Sequence, residues 1–421
     1  MDNTFPTLAP GKWRAVLQIE PKISIDNKKA EPLPELMDLE MEEVTEGELP
    51  FNFEVIYEDD NQFYIEIING KERIRLKDVQ TGHDIRTGKD SFLIHMPVYE
   101  AFIRGHFEER VMAGDFVVTN RSAPYSIPFI ARHGHAHRFT TLKKTPVMDV
   151  SGKWEATFGL NEDAPYPAIG EFKQEGNYLT GTFLTETGDY RFLEGTIQEN
   201  KLYLSCFDGA HAFLFEGKIL EDQSMIGSFR SGKHYRTTWE AKKNPDVQLK
   251  NPNELTYLLE GYDKISFAFE NPEGKVIALD DPAYQDKVKI IQIFGTWCPN
   301  CRDETNFLID YLERNNNPDL AVVALAFEKH RDAGKAKKAI QTYRDHFNIP
   351  YEMLHAGYYN KKEAAKALPM LNHILSYPTM IFIDRKDQVR KIHTGFNGPA
   401  TSKYESFKTE FESFVQQLLK E

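Results

Sequence analysis

At 421 residues the chain exceeds what one hydrophobic core ordinarily organises, so two or three domains are expected. Its 41% hydrophobic and 12% aromatic content can fill packed interiors, while a net charge of −13 argues against a general nucleic-acid or anionic-membrane surface. One C-x-x-C and a lone Cys206 exclude a disulfide-stapled scaffold, and no apolar run approaches the roughly eighteen residues of a membrane span.

The chain begins "MDNTFPTLAPGKW", without the basic and apolar regions of a secretory signal. Either the protein is cytosolic or a leader has been removed. From there to about residue 245 run short alternating segments separated by polar turns, such as "FNFEVIYED", "QFYIEII", "RIRLKDV", "SFLIHMPV" and "AFIRGHFE". Alternation of this kind predicts antiparallel β-structure with one face buried.

A weak repeat runs through this region. "GKWRAVLQI" at 11–19 is echoed by "GKWEATFGL" at 152–160, and "VMAGDF" at 111–116 by "SMIGSF" at 224–229. The offsets are 141 and 113 residues, so the first copy carries roughly 28 extra. The acidic, proline-containing stretch 28–50 is assigned most of that excess, as a loop or short helix, and charge runs are usually only solvated. Two related β-domains follow, at 1–145 and 146–245. Polar linkers near 139–152 and 242–254 bound the second, and a third domain covers 246–421.

Within these domains, "RHGHAH" sets His133, His135 and His137 at alternate positions. An extended chain would place the three imidazoles on one face, which permits metal binding. No carboxylate or cysteine accompanies them, so a solvated linker is the preferred reading. Cys206 alternates with apolar residues in "LYLSCFDG" and reads as core.

The last 170 or so residues alternate strand and helix signals. "KISFAFENPEGKVIAL" reads as a hairpin, "KVKIIQIF" (287–294) and "LAVVALAFE" (320–328) as buried strands. Helical spacing follows the cysteines up to "NNNP" and returns in "GKAKKAIQTYRDHF", in the proline-interrupted "KKEAAKALPMLNHI" and in "YESFKTEFESFVQQLLKE". "PTMIFID" and "QVRKIHTGF" form strands about a charged turn. The expected fold class is therefore two antiparallel all-β domains followed by an α/β domain with a mostly parallel sheet and helices on both faces.

Chemistry concentrates in "QIFGTWCPNCRDE" (292–304), which holds two of the three cysteines. A zinc site would need four ligands, and neither a second C-x-x-C nor a spaced histidine pair occurs. Two inert buried cysteines fit the position poorly, because the pair stands where a buried strand ends and a helix begins. Free amide donors and the macrodipole there favour a thiolate, and proline suits the first turn. A dithiol–disulfide couple is the reading that uses this position, with Cys298 as nucleophile and Cys301, one turn inside, as resolving thiol.

"FGTWCPNCRDE" resembles the thioredoxin superfamily, and more closely its TlpA/ResA-like thiol–disulfide oxidoreductases. The resemblance covers about residues 255–421 and extends to "SYPTMIFID", similar to the family's cis-proline loop. It implies a thioredoxin-like domain in which Pro378 is the cis-proline facing the disulfide and Tyr377 offers its backbone to substrate. Trp297 would shield the dithiol. Thioredoxin's buried aspartate is replaced by Gln292, and the resemblance assigns proton transfer to Glu304 instead. It further implies reduction of protein disulfides with no cofactor beyond the Cys298–Cys301 couple, supplied by an upstream electron donor. A periplasmic or cell-envelope setting, with a tether near the N-terminus, goes with it. The β-domains would recruit a protein partner or mediate self-association. Two other readings compete: a binding or envelope-assembly protein using the fold as scaffold, and a peroxiredoxin-like peroxidase. The latter lacks its P-x-x-x-T-x-x-C pattern, since Thr296 lies two residues before Cys298 with no proline at the required spacing.

Overall fold

A computed structural model describes residues 7–19, 38–59, 62–121, 125–160 and 162–421. The chain divides into two compact units. One comprises residues 1–183 and 190–247, and the other 184–189 and 248–421.

Among the described residues there are two antiparallel sheets of nine strands each, and apart from residues 184–189 they lie in the first unit. The repeated motifs occupy matching places in them. Gly11–Gln18 opens the first sheet and pairs both with the next strand, Glu48–Tyr57, and with the last, Tyr125–His133. Gly152–Phe158 opens the second and pairs likewise with Tyr166–Glu175 and with the last strand, Tyr235–Lys243. Val111–Val118 and Met225–Ser231 are the penultimate strand of each. Even the tryptophans agree. Trp13 and Trp154 are fully buried, and each indole donates to the carbonyl four residues back, Ala9 at 2.9 Å and Val150 at 2.8 Å. The glycine two residues before each has φ near +100°, a conformation costly to any side chain.

In the second sheet an additional pairing between Tyr166–Glu175 and Tyr178–Thr185 closes the strands into a barrel. Phe158, Phe183, Phe215, Phe229 and Trp239 fill it with stacked and edge-to-face contacts at 4.5–6.3 Å. Cys206, fully buried, belongs to this core, and burial pushes its thiol well above the ordinary range. The first copy's additional residues fall between its first two strands. Of the acidic stretch, residues 28–37 lie outside the described residues, and 38–47 form turns and irregular chain without a helix. Buried Arg138 binds Glu194, Asn69 and Ser205 at 2.8–3.0 Å, joining the two sheets. Loss of either charge would strand the other in the interior.

The second unit is α/β. Its seven strands run in the order Val276–Ala278, Ala268–Glu270, Glu352–Tyr358, Leu320–Glu328, Val288–Phe294, Thr379–Ile383, Val389–Thr394. Only the three central strands are mutually parallel, so the sheet is mixed and not mostly parallel as expected. The physical reason is loop length: five residues join Thr379–Ile383 to Val389–Thr394, enough for a hairpin but not for a crossover. Helices α1 (Pro299–Arg314), α2 (Ala333–Phe347), α3 (Lys361–Ala367) and α4 (Tyr404–Lys420) cover the sheet. Phe307 and Tyr311 of α1 meet Phe411 of α4 edge-on at 4.8 and 5.0 Å, and Phe411 reaches Phe382 of the sheet. The opposite face buries Ile291, Ile293, Val323, Leu325 and Leu354 beneath Ala364 of α3 and Leu368. Asp332 and Asn360 cap α2 and α3 through backbone amides, and Asn348 ends α2 in the left-handed conformation.

Candidate active site

The fully buried strand Val288–Phe294 delivers the chain through Gly295-Thr296-Trp297 to the start of α1. Cys298 is the helix N-cap in extended conformation, Pro299 occupies the first turn, and Cys301 lies one turn inside. The Cys301 amide donates to Cys298 Sγ at 3.2 Å, and the two cysteines form a disulfide with Cα atoms 5.2 Å apart. Cys298 is 6% exposed and Cys301 wholly buried, so the outer sulfur is the one that a partner can reach. Across from it, the Tyr377–Pro378 peptide is cis and Tyr377 O lies 3.5 Å from Cys298 Sγ.

Trp297 is half-buried beside this pair. Its indole donates to Phe327 O at 3.0 Å, and its ring meets Tyr359 and Tyr377 edge-on at 5.5 and 5.6 Å. Lys329 Nζ sits 4.8 Å above it. A Cβ at position 295 would stand 2.3 Å from the indole nitrogen, so glycine there is what lets the tryptophan fold back.

Glu304 is fully buried three residues beyond Cys301, on the same side of α1. Burial pushes its carboxyl up to about 8, opposed by one hydrogen bond that Gln292 Nε2 donates to Oε2 at 3.0 Å. Its other oxygen is buried and accepts no hydrogen bond among the described residues. Gln292 also binds Thr305, and Tyr351 OH reaches its carbonyl oxygen at 3.4 Å. Gln292 is thus the neighbour that holds Glu304.

Sequence reasoning missed Glu328. It is 2% exposed at the end of Leu320–Glu328 and accepts from Thr296 N at 2.9 Å and from Thr296 Oγ1 at 2.8 Å. These two bonds fix the residue that precedes Trp297-Cys298. The available signal was a carboxylate ending an otherwise apolar run, since a buried charge must be paired.

The three alternate histidines are not brought to a common ligand set. His133 donates from Nε2 to Pro10 O at 2.8 Å and packs on Trp13, whereas His135 and His137 meet edge-on at 5.5 Å. Burial and Arg14 lower the His137 pKa. Among the described residues no group of three His, Cys, Asp or Glu could hold a metal ion.

A thioredoxin-like α/β unit with a disulfide at the start of its first helix is the class that this fold and site define. Residues 261–392 match the model of the AhpC/TSA family. The thioredoxin-like protein YneN of Bacillus subtilis (strain 168) is 26% identical over 136 residues, 32% of this chain and 72% of that protein. Among solved structures, a thiol:disulfide interchange protein of the thioredoxin family from Chlorobium tepidum TLS is 20% identical. It covers 38% of this chain and 98% of that one, with a TM-score of 0.29. A DsbF homologue from Corynebacterium diphtheriae is 18% identical over 40% of this chain and 98% of that one, TM-score 0.30. No helix among the described residues is long and apolar enough to cross a membrane.

Proposed function

We propose that the protein is a thiol–disulfide oxidoreductase that reduces protein disulfides. The observation that carries this reading is the Cys298–Cys301 disulfide at the N-terminus of α1, facing the Tyr377 carbonyl, with a buried carboxyl behind it. In the reduced enzyme the α1 amides and macrodipole favour the Cys298 thiolate. That thiolate attacks one sulfur of a substrate disulfide, expelling the other as a thiolate and leaving a mixed disulfide. Glu304, as carboxylate, takes the Cys301 proton. Cys301 then attacks Cys298 Sγ and releases the second substrate thiolate, so the substrate gains two electrons and the enzyme becomes the disulfide. A dithiol donor reverses these steps, and Glu304 returns its proton to Cys301. Trp297 limits water access, and the Tyr377 backbone and Pro378 receive the substrate chain. The couple itself carries both electrons, so no further cofactor enters the scheme.

The test is reduction of insulin by the dithiol-recycled enzyme, compared with Cys298→Ser. Loss of turnover is expected, and equal rates would refute the reading. A Cys301→Ala variant is expected to accumulate mixed disulfides on Cys298, identifying substrates by mass spectrometry. A peroxidase is the second reading, favoured by the AhpC/TSA match. Thiol-dependent peroxide consumption that outpaces insulin reduction would establish it in place of the first. An envelope setting, with the β-domains recruiting a partner or self-associating, completes the proposal. Fractionation of the native protein tests the location, and its mass in solution tests self-association.

A further inference from the structure

The α/β unit contains six residues far from it in sequence. Leu184–Asp189 form a small hairpin, with Leu184 opposite Asp189 and Thr185 opposite Gly188. Thr185 Oγ1 stiffens the turn, donating to Gly188 O at 2.9 Å and accepting from Thr187 N at 3.2 Å.

The backbone of this hairpin meets both sides of the dithiol site. Asn300, between the two cysteines, donates from Nδ2 to Asp189 O at 3.1 Å. Ser376, which precedes Tyr377-Pro378, is buried and donates from Oγ to Thr187 O at 2.6 Å. Asp189, 8% exposed, accepts from Gly398 N at 2.9 Å, and Glu186 faces Lys250 at 3.4 Å. Two glycines make the approach close enough. A Cβ at Gly188, whose φ is +140°, would stand 2.4 Å from Asn300 Nδ2, and one at Gly395 would stand 3.1 Å from Thr187 C.

We propose that Leu184–Asp189 is a specificity-determining wall of the dithiol site, which admits small or extended disulfides and turns away disulfides embedded in folded surfaces. The inference rests on the oxidoreductase reading. An attacking thiolate must line up with the target S–S bond, and a chain aligned on the Tyr377 backbone must pass between the Asn300 and Ser376 sides. Fixed backbone held by hydrogen bonds at both sides narrows that passage. A flexible segment or a low-molecular-weight disulfide can enter it, but a rigid convex surface cannot bring its sulfur to a Cys298 that is only 6% exposed.

The experiment uses the full chain and two variants, Gly188→Val, whose side chain clashes with Asn300 Nδ2 and strains the turn so that the Asn300 bond to Asp189 O is lost, and Asp189→Ala, which removes the Gly398 anchor. Reduction of a folded protein disulfide is compared with that of oxidised glutathione. In parallel, reduced Cys298 is alkylated by N-ethylmaleimide and by the same maleimide on polyethylene glycol. Relative to wild type, the ratio of kcat/KM for the folded substrate to that for glutathione is expected to rise about tenfold or more. The polymer-to-small-reagent alkylation ratio should rise with it. Ratios unchanged in both variants overturn the wall. If Gly188→Val does not fold, Asp189→Ala alone decides. A shifted alkylation ratio with neither disulfide reduced by wild type overturns the oxidoreductase reading, and with it the substrate selection, while retaining the steric wall.

Discussion

Replacing Glu304 by glutamine keeps the shape of a buried side chain and removes its proton equilibrium. In the folded protein the carboxyl titrates near 8, against an ordinary 4.5, because burial disfavours its charge. Between those values the folded chain holds a proton that the unfolded chain has released. This carboxyl's contribution to stability therefore falls as pH rises through this window and is constant outside it. Each pH unit is worth about 1.4 kcal/mol, so between pH 5.5 and 7.5 wild type should lose on the order of 3 kcal/mol that the Gln variant keeps. At about 2–4 °C per kcal/mol for a unit of this size, the change in Tm over that interval should differ by about 5–10 °C between the two proteins. Thermal unfolding of the oxidised proteins, followed at the transition of the α/β unit, measures it. Parallel shifts in wild type and variant, within about 1 °C, would refute a buried protonated carboxyl. Exchange kinetics supply the functional counterpart: the wild-type rate should inflect near pH 8, and the inflection should vanish in Glu304→Gln.

Gln292→Met should move that inflection above pH 8, because the one hydrogen bond that favours the carboxylate is lost; an inflection displaced downward would contradict the geometry. Glu328→Ala leaves Thr296 N and Oγ1 without their acceptor in a buried turn. It should cost about 2–4 kcal/mol by denaturant midpoint and slow disulfide exchange, whereas Glu328→Gln, which still offers one acceptor, should recover part of both. Ser376→Ala removes the bond to Thr187 and should raise the alkylation rate of reduced Cys298 by the polymer-linked maleimide, read by mass spectrometry.

The parts of the fold that could be read from residues alone were those with one dominant signal. "KVKIIQIF" and "LAVVALAFE" are short, predominantly apolar runs and became central strands, and the proline in "KALPMLN" ended α3 at Ala367. "EMLHAGY", the third parallel strand, was not recognised, because a histidine and a glycine interrupt its apolar pattern. The site divides in the same way. Cys298 and Cys301 announce themselves by spacing, whereas Glu304 stands out only through the family resemblance. Glu328 and Ser376 are paired only through the fold, with residues 32 and 189 positions away, and local pattern carries no trace of such partners.

The two nine-stranded sheets share a feature with consequences for synthesis. In each, the first strand pairs with the last, Trp13 opposite His133 and Trp154 opposite Lys243. When the first strand leaves the ribosome, one of its edges has no partner until more than a hundred further residues have been made in the first copy, and about eighty in the second. Until then a row of unsatisfied amides and an exposed tryptophan invite pairing with the wrong chain. Because the copies are similar, the wrong chain can be the other half of the same molecule, with the second opening strand seated in the place of the first. The strings "GKWRAVLQI" and "GKWEATFGL" differ at five of nine positions, and it is those differences that would separate correct closure from a swapped one.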